Sequence, residues 1–136
     1  MTPTEYALLG FVAWQLLLLV SLGAIRTSLV TAGKRASNSF AASGDDMDGF
    51  GKRLTRAHAN CYENVGVVAA VLLYAIATGQ TAVTDGLAYA FLGARLAQSL
   101  AHLISTNRLF VFIRFAFFIV QVAILVTWLL KLSHLL

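Results

Sequence analysis

The sequence predicts an all-α membrane protein, a bundle of four transmembrane helices, and three observations carry that prediction. Hydrophobic residues make up 59% of the 136-residue chain and charged residues only 12%, about half the roughly 25% charged content of soluble domains. Four apolar stretches each approach the ~20 residues that cross a bilayer as a helix. The polar residues concentrate in the segments between them and at a few isolated points within them. With one proline and ten glycines, the chain contains no low-complexity segment and no internal repeat, and its length suits a single membrane domain over residues 1–136.

The first helix is expected over about 5–30. No charge falls between Tyr6 and Ile25, and Arg26 ends the run; at 1.5 Å per residue this stretch covers the hydrocarbon core of roughly 30 Å. A cleaved leader has a basic start and a short apolar core. Glu5 and the length of the run instead predict a retained helix. Residues 31–51 form a polar loop rich in Ser, Asn, Gly and Asp, with Lys34 and Arg35 at its start and Asp45, Asp46 and Asp48 near its end. The second helix is expected over 52–78. Polar residues precede the apolar run Val65–Ile76 without a helix breaker, and Gly79 stands where a C-terminal cap belongs. A short turn leads to a third helix over 82–105, interrupted by Arg95 and His102. A turn around Thr106–Leu109 leads to the fourth, over 110–133, which opens with aromatics and contains Arg114 and Gln121. Short turns make these neighbours antiparallel.

Loop charge sets the orientation. Arg26, Lys34, Arg35, Lys52, Arg53 and Arg56 surround the first loop and Arg108 lies in the third turn, whereas the second turn has only Asp85 and the N-terminus only Glu5. The positive-inside rule places the loop in the cytoplasm and both termini outside it. Compact length and the lack of a retention signal favour a bacterial inner membrane. A net charge of +4 would suggest nucleic acid in a soluble protein, but here basic residues lie within or beside the spans, so no nucleic-acid partner is expected. Single Cys61 excludes an intramolecular disulfide, and His58 and His102, on different helices without a supporting Cys or carboxylate pair, give no metal site.

The polar residues inside the spans carry the functional information. A transmembrane arginine costs roughly 2.5–3.5 kcal/mol at mid-bilayer on insertion scales, so such groups face a bundle interior. Arg56, Asn60 and Glu63 recur at i, i+4 and i+7 and share one arc of the second helix. Arg95, Gln98, Ser99 and His102 share a face of the third, and Arg114 and Gln121 a face of the fourth. Interhelical hydrogen bonds alone account for some of these residues, and snorkelling accounts equally well for Arg26 and Arg108. As a set they do not balance: Arg26, Arg56, Arg95 and Arg114 face a single buried anion, Glu63. Water or an anionic ligand is expected to make up the difference. Phe110, Phe112, Phe115, Phe117 and Phe118 read as packing or lipid-facing surface, or as the lining of a path for an apolar substrate.

The run Arg56-Ala57-His58-Ala59-Asn60-Cys61-Tyr62-Glu63-Asn64 resembles the R-A-x-x-N-x-x-E signature of the membrane-associated proteins in eicosanoid and glutathione metabolism, the MAPEG family, and the chain as a whole is similar to its microsomal glutathione transferase-like members in length, four spans and long first loop. The resemblance implies a homotrimer with glutathione, as co-substrate, bound between subunits near the cytoplasmic side. It implies glutathione-binding roles for Arg26, Arg56, Asn60, Glu63, Arg95 and His102, and a catalytic role for Arg114 in stabilising the thiolate. Glutathione has two carboxylates and one ammonium, which suits a surplus of arginine beside one carboxylate, and a cation near the sulfur favours the reactive thiolate. The pattern departs from many catalytic relatives at Ala59, His102, Phe115 and Phe118, changes that remove hydroxyls near the sulfur, and it lacks the usual proline before the fourth helix.

Three functions follow as expectations: a glutathione-dependent transferase or peroxidase acting on lipophilic small molecules, a non-catalytic MAPEG-like protein binding a lipid or membrane partner, and a small transporter.

Overall fold

The computed structural model describes all residues from Met1 to Leu136 and contains four α-helices, α1 (Pro3–Thr31), α2 (Gly49–Ala77), α3 (Thr81–Ile104) and α4 (Arg108–Leu132). All four are long and apolar enough to cross a membrane. Lipid offers the backbone no hydrogen bonds, so spanning segments of this kind satisfy their own N–H and C=O groups as helices.

Local chemistry fixes the helix ends. Three helices begin two or three residues earlier than the composition suggests, α1 at Pro3 among them. α2 starts at Gly49 rather than near Lys52, with Asp48 as its extended N-cap and Gly49 at φ 56°, a left-handed conformation that glycine takes without a Cβ penalty. α4 starts at Arg108 because the Asn107 side chain accepts the Phe110 N–H at 3.0 Å, a standard N-cap bond. α2 closes as a Schellman motif: Gly79 has φ 69°, its N–H reaches the Ile76 carbonyl at 3.2 Å, and the Gln80 N–H reaches Ala75 at 2.8 Å. Both bonds satisfy carbonyls that the helix itself leaves unpaired.

The N-terminus of α1 is capped from two directions. Thr2 and Glu5 form a capping box, and Pro3 has no N–H to satisfy. The remaining first-turn donor, the Thr4 N–H, is taken by Asp85 Oδ1 of α3 at 3.0 Å, and the same oxygen accepts the Thr4 hydroxyl at 2.6 Å. Thr84 Oγ1 lies 2.6 Å from Thr4 Oγ1 and completes the cluster. A carboxylate beside a helix N-terminus is also favoured by the helix dipole. Asp85, the one charge of the second turn region, is therefore a latch between α1 and α3.

Packing follows seams spaced by three, four and seven residues, the knobs-into-holes pattern of left-handed bundles. α1 buries Thr4, Ala7, Phe11, Leu18 and Leu22, and α2 buries Leu54, Cys61, Val68, Leu72 and Ala75. α3 touches all three other helices, whereas α1 and α4 do not touch each other. Cys61 is fully buried among apolar neighbours. Rings link the layers, with Phe91 of α3 lying 6.5 Å from Phe11 of α1 and 5.4 Å from Trp128 of α4 between centroids.

The loop between α1 and α2 is tied down at several points. Arg35 Nη1 donates to both the carbonyl and the carboxylate of Asp46 at 2.8 Å. The Arg26 and Arg35 guanidinium groups both lie over the Phe40 ring, 5.4 and 5.3 Å from its centroid. Asp45 pairs with Lys52 at 3.1 Å and Arg56 at 3.3 Å. Arg53 Nε donates to the Leu103 carbonyl at 2.7 Å, satisfying an acceptor at the C-terminus of α3.

Two predictions follow from these contacts. Asp85→Ala should destabilise detergent-solubilised protein by about 1–2 kcal/mol, the scale of a lost helix cap, visible as a lower thermal midpoint; an unchanged midpoint would show that the latch contributes nothing. Hydrogen bonds from Lys52 and Ser43, with Arg56 adding to them, hold the Asp45 carboxylate below its ordinary value of 3.8. A depressed folded value means that the ion pair's contribution persists above the ordinary range and is lost as pH falls through the lower folded value. Loop amide protection factors should stay flat from neutral pH down to about 4 and fall only below it. Protection that already falls between pH 7 and 5 would contradict this assignment.

Candidate functional site

A cleft of about 500 Å³ lies between α2 and α4, lined by Asn60, Glu63 and Asn64 of α2, Gln98 and His102 of α3, and Val111, Arg114, Phe115 and Phe118 of α4. The sequence gathers these residues because polar positions on α2 and α3 recur at helical spacing, so each helix brings its own set to one face. At 1.5 Å per residue, Arg114 lies roughly 9 Å along α4 from its start and Glu63 roughly 21 Å along α2. The cleft is thus confined to the half of the bundle nearest the long loop.

Its floor is a layer of hydrogen bonds between helices. Arg95 of α3, only 1% exposed, donates from Nη1 to Asn60 Oδ1 at 2.9 Å. A guanidinium has no acceptor, so this contact fixes the amide orientation and leaves the Asn60 NH₂ free to donate elsewhere. The Arg95 guanidinium also stacks over the Phe11 ring, 5.4 Å from its centroid. Between α3 and α4, Gln121 Nε2 donates to Gln98 Oε1 at 2.8 Å and to the Phe117 carbonyl at 2.9 Å. Gln98 is thereby committed through its oxygen, and its own NH₂ has no partner within the chain. The neutral amides also stabilise the bundle, since a polar group left unpaired in an apolar interior carries a desolvation penalty.

The charged groups of the cleft are not paired with one another. Arg114 Nη1 lies 2.8 Å from His102 Nδ1. Glu63 makes no hydrogen bond or ion pair and is exposed in the single chain. It is therefore not the buried anion anticipated from the sequence. α4 stands away from the Glu63 turn of α2, because those two helices make the slightest contact of any touching pair, and the carboxylate opens into the gap. The cleft thus offers one full positive charge, one full negative charge, several neutral N–H donors and a wall of phenylalanine.

The remaining candidates lie apart from it. Arg56 is at the loop end of the same α2 face, paired with Asp45. Arg26 donates to the Ala41 carbonyl at 3.3 Å and lies against Phe40, in a separate polar depression with Thr27, Thr31, Ser37 and Asn38. Within one chain it does not reach the cleft. Arg95 is sealed behind Asn60, so it acts on the cleft through that amide and does not line it. His58 faces α1, where it lies 3.1 Å from Gln15 Nε2.

Sequence reasoning missed the pairings and the hydrogen-bond role of Gln15. It also missed Phe40, a lone aromatic in a polar loop that two arginines lie over. The aromatic was the available signal for that contact. No comparable signal marks Arg114–His102 or Gln98–Gln121, which depend on the rotation of each helix about its axis.

The chain matches the family model described as MAPEG family over residues 4–133, nearly its whole length. Comparison with curated proteins finds no match, and comparison with solved structures finds none either. Together with four helices able to cross a membrane, the match makes this an integral multi-pass membrane protein in a lipid bilayer, with a family-level link to glutathione or eicosanoid metabolism. The R-A-x-x-N-x-x-E run on α2, the cleft it lines and the span of the match have one common account: the chain belongs to the MAPEG family.

Proposed function

We propose that the protein is a glutathione-dependent membrane transferase or peroxidase acting on lipophilic electrophiles, assembled as a homotrimer with glutathione held between subunits. The observation that carries this reading is the makeup of the cleft, where Glu63 is the single carboxylate opposite Arg114 and a set of neutral donors, beside an aromatic wall. Glutathione at neutral pH has two carboxylates, one ammonium and one thiol. Glu63 receives the ammonium, and the free NH₂ of Asn60 and the guanidinium of Arg56 receive carboxylate oxygens, with Arg56 exchanging Asp45 for the ligand. Arg26 does not reach the cleft of its own chain, so in this reading it completes the site from the neighbouring subunit.

With the ammonium on Glu63, the thiol faces Arg114 in this reading, and the guanidinium favours the thiolate by direct charge interaction. The sulfur lone pair then attacks an electrophilic carbon, forming the C–S bond as the leaving group departs with its electron pair, or attacks the terminal oxygen of a hydroperoxide, forming an S–O bond as the O–O bond breaks and the alkoxide leaves to take up a proton. In the latter case the thiolate of a second glutathione then forms the S–S bond and releases the hydroxyl as water. The lipophilic partner arrives from the bilayer along Val111, Phe115 and Phe118. His102 lines the same space as a neutral group, and Arg95 contributes by orienting Asn60. The basic loop lies in the cytoplasm and both termini outside it, in a bacterial inner membrane.

A non-catalytic lipid- or partner-binding role is the second reading. It is favoured by the phenylalanine wall and by the lack of any hydroxyl among the residues lining the cleft. Glutathione binding separates the two. By calorimetry on detergent-purified protein, the native chain should bind glutathione, and Arg56→Ala and Glu63→Ala should each weaken binding roughly 10- to 100-fold, the worth of a hydrogen bond to a charged group. Arg114→Gln should abolish turnover in protein that stays folded. Absence of binding at millimolar glutathione by folded native protein would overturn the transferase reading in favour of the second.

A further inference from the structure

The contact between Arg114 and His102 fixes a protonation state. Guanidinium nitrogens only donate, so His102 Nδ1, 2.8 Å from Arg114 Nη1, is the acceptor. An imidazole that accepts at Nδ1 is neutral and carries its proton on Nε2. That Nε2–H makes no hydrogen bond within the chain, and the ring lines the cleft beside Arg114.

Carboxylates are the natural partners of guanidinium groups, because their geometry matches the planar fork. Arg114 has no carboxylate partner. Glu63, the one carboxylate lining the cleft, makes no hydrogen bond to it. A carboxylate would fix the guanidinium and cancel its charge in the same contact. A neutral imidazole fixes it and leaves the charge in place. Protonation of His102 at Nδ1 would remove the acceptor and set two cations side by side, so the arginine and the neutral tautomer each hold the other in place.

We infer that His102 is the positioning residue of Arg114: it accepts one guanidinium N–H and thereby presents an oriented, uncancelled positive charge to an anionic group of the ligand. The inference rests on the proposed glutathione chemistry, in which that anionic group is the thiolate. It also accounts for a polar residue in the last turn of α3 whose side chain hydrogen-bonds to Arg114 alone.

The test uses two measurements on full-length protein in detergent or nanodiscs. The first is glutathione-free: ¹⁵N NMR of imidazole-labelled protein, with the His102 signals identified by their loss in His102→Asn. The expected spectrum has a bare Nδ1 and a protonated Nε2 at neutral pH, and Arg114→Met, which supplies no donor, should return the ring to a mixture of tautomers. A mixture in the native protein overturns the inference. The second follows the ultraviolet absorbance of bound glutathione thiolate against pH. His102→Phe keeps a ring without the acceptor and should raise the bound thiol's apparent pKa by roughly one unit, a tenfold loss of thiolate at a given pH below it. His102→Asn retains a neutral acceptor and should titrate with the native protein. His102→Asp supplies a charged acceptor and should raise the apparent pKa at least as far as His102→Phe does. A purely structural bridge between α3 and α4 would instead lower the thermal midpoint of the Phe variant without moving the thiol titration, and that result overturns the inference. If native protein binds no glutathione, the proposed function fails, and the tautomer measurement still decides whether His102 holds Arg114.

Discussion

Arg95 is sealed inside the bundle without a carboxylate beside it, and its charge rests on the Asn60 side-chain amide oxygen and the face of the Phe11 ring. In water an arginine could choose among many such partners; inside a membrane bundle the alternatives carry a large desolvation penalty. The contact therefore constrains three helices at once, since Phe11 belongs to α1, Asn60 to α2 and Arg95 to α3. The Phe11–Phe91–Trp128 series extends the same layer to α4. The rotation of α2 follows from it. With Asn60 turned to meet Arg95, Glu63 one turn further along opens into the gap before α4, and Arg56 one turn earlier meets the loop.

The bundle has a division of labour along its axis. The end far from the loop is closed by neutral and capping interactions: the Thr4–Thr84–Asp85 cluster and the Schellman turn after α2. The loop end gathers the guanidinium groups and keeps them short of full neutralisation. Arg26 is held by a carbonyl and a ring, Arg95 by an amide and a ring, and Arg114 by an imidazole. Only Arg35, which is tied to Asp46, and Arg56, which shares the exposed carboxylate of Asp45, have formal counter-ions. Neutral acceptors immobilise cations and leave their field available, which is the electrostatic condition for attracting an anion into an apolar setting.

Much of this was legible in the sequence because it depends on periodicity alone. Four apolar runs of spanning length gave the helices, and the spacing of Asn60 and Glu63, or of Gln98 and His102, placed each pair on one face. What the sequence could not supply was the relation between faces. The stripes on α2, α3 and α4 converge, but Arg26 turns toward Phe40, and nothing in the spacing of α1 distinguishes the two orientations. The same holds for Glu63, where periodicity places it on the polar arc but not on the lipid or core side of the α2–α4 gap. Asp85 read as a topological marker because its partner, the N–H of Thr4, is a backbone group with no sequence signature. Helix starts were missed by two or three residues where the Asn107 cap begins α4, or the turn through Asp48 and Gly49 begins α2, among polar residues that hydropathy assigns to a loop.

The latch between Thr4 and Asp85 joins residues 81 positions apart, and this separation has a consequence for the order of synthesis. At the ribosome's pace of about 5–20 residues per second, roughly 4–16 s pass between the two ends of the contact. During that interval the first span exists with the Thr4 N–H and hydroxyl lacking their final acceptor, the Asp85 carboxylate. The capping box, by contrast, joins residues three positions apart and needs nothing from the third span. The first half of the chain thus waits for the second before the end of the bundle far from the loop is closed.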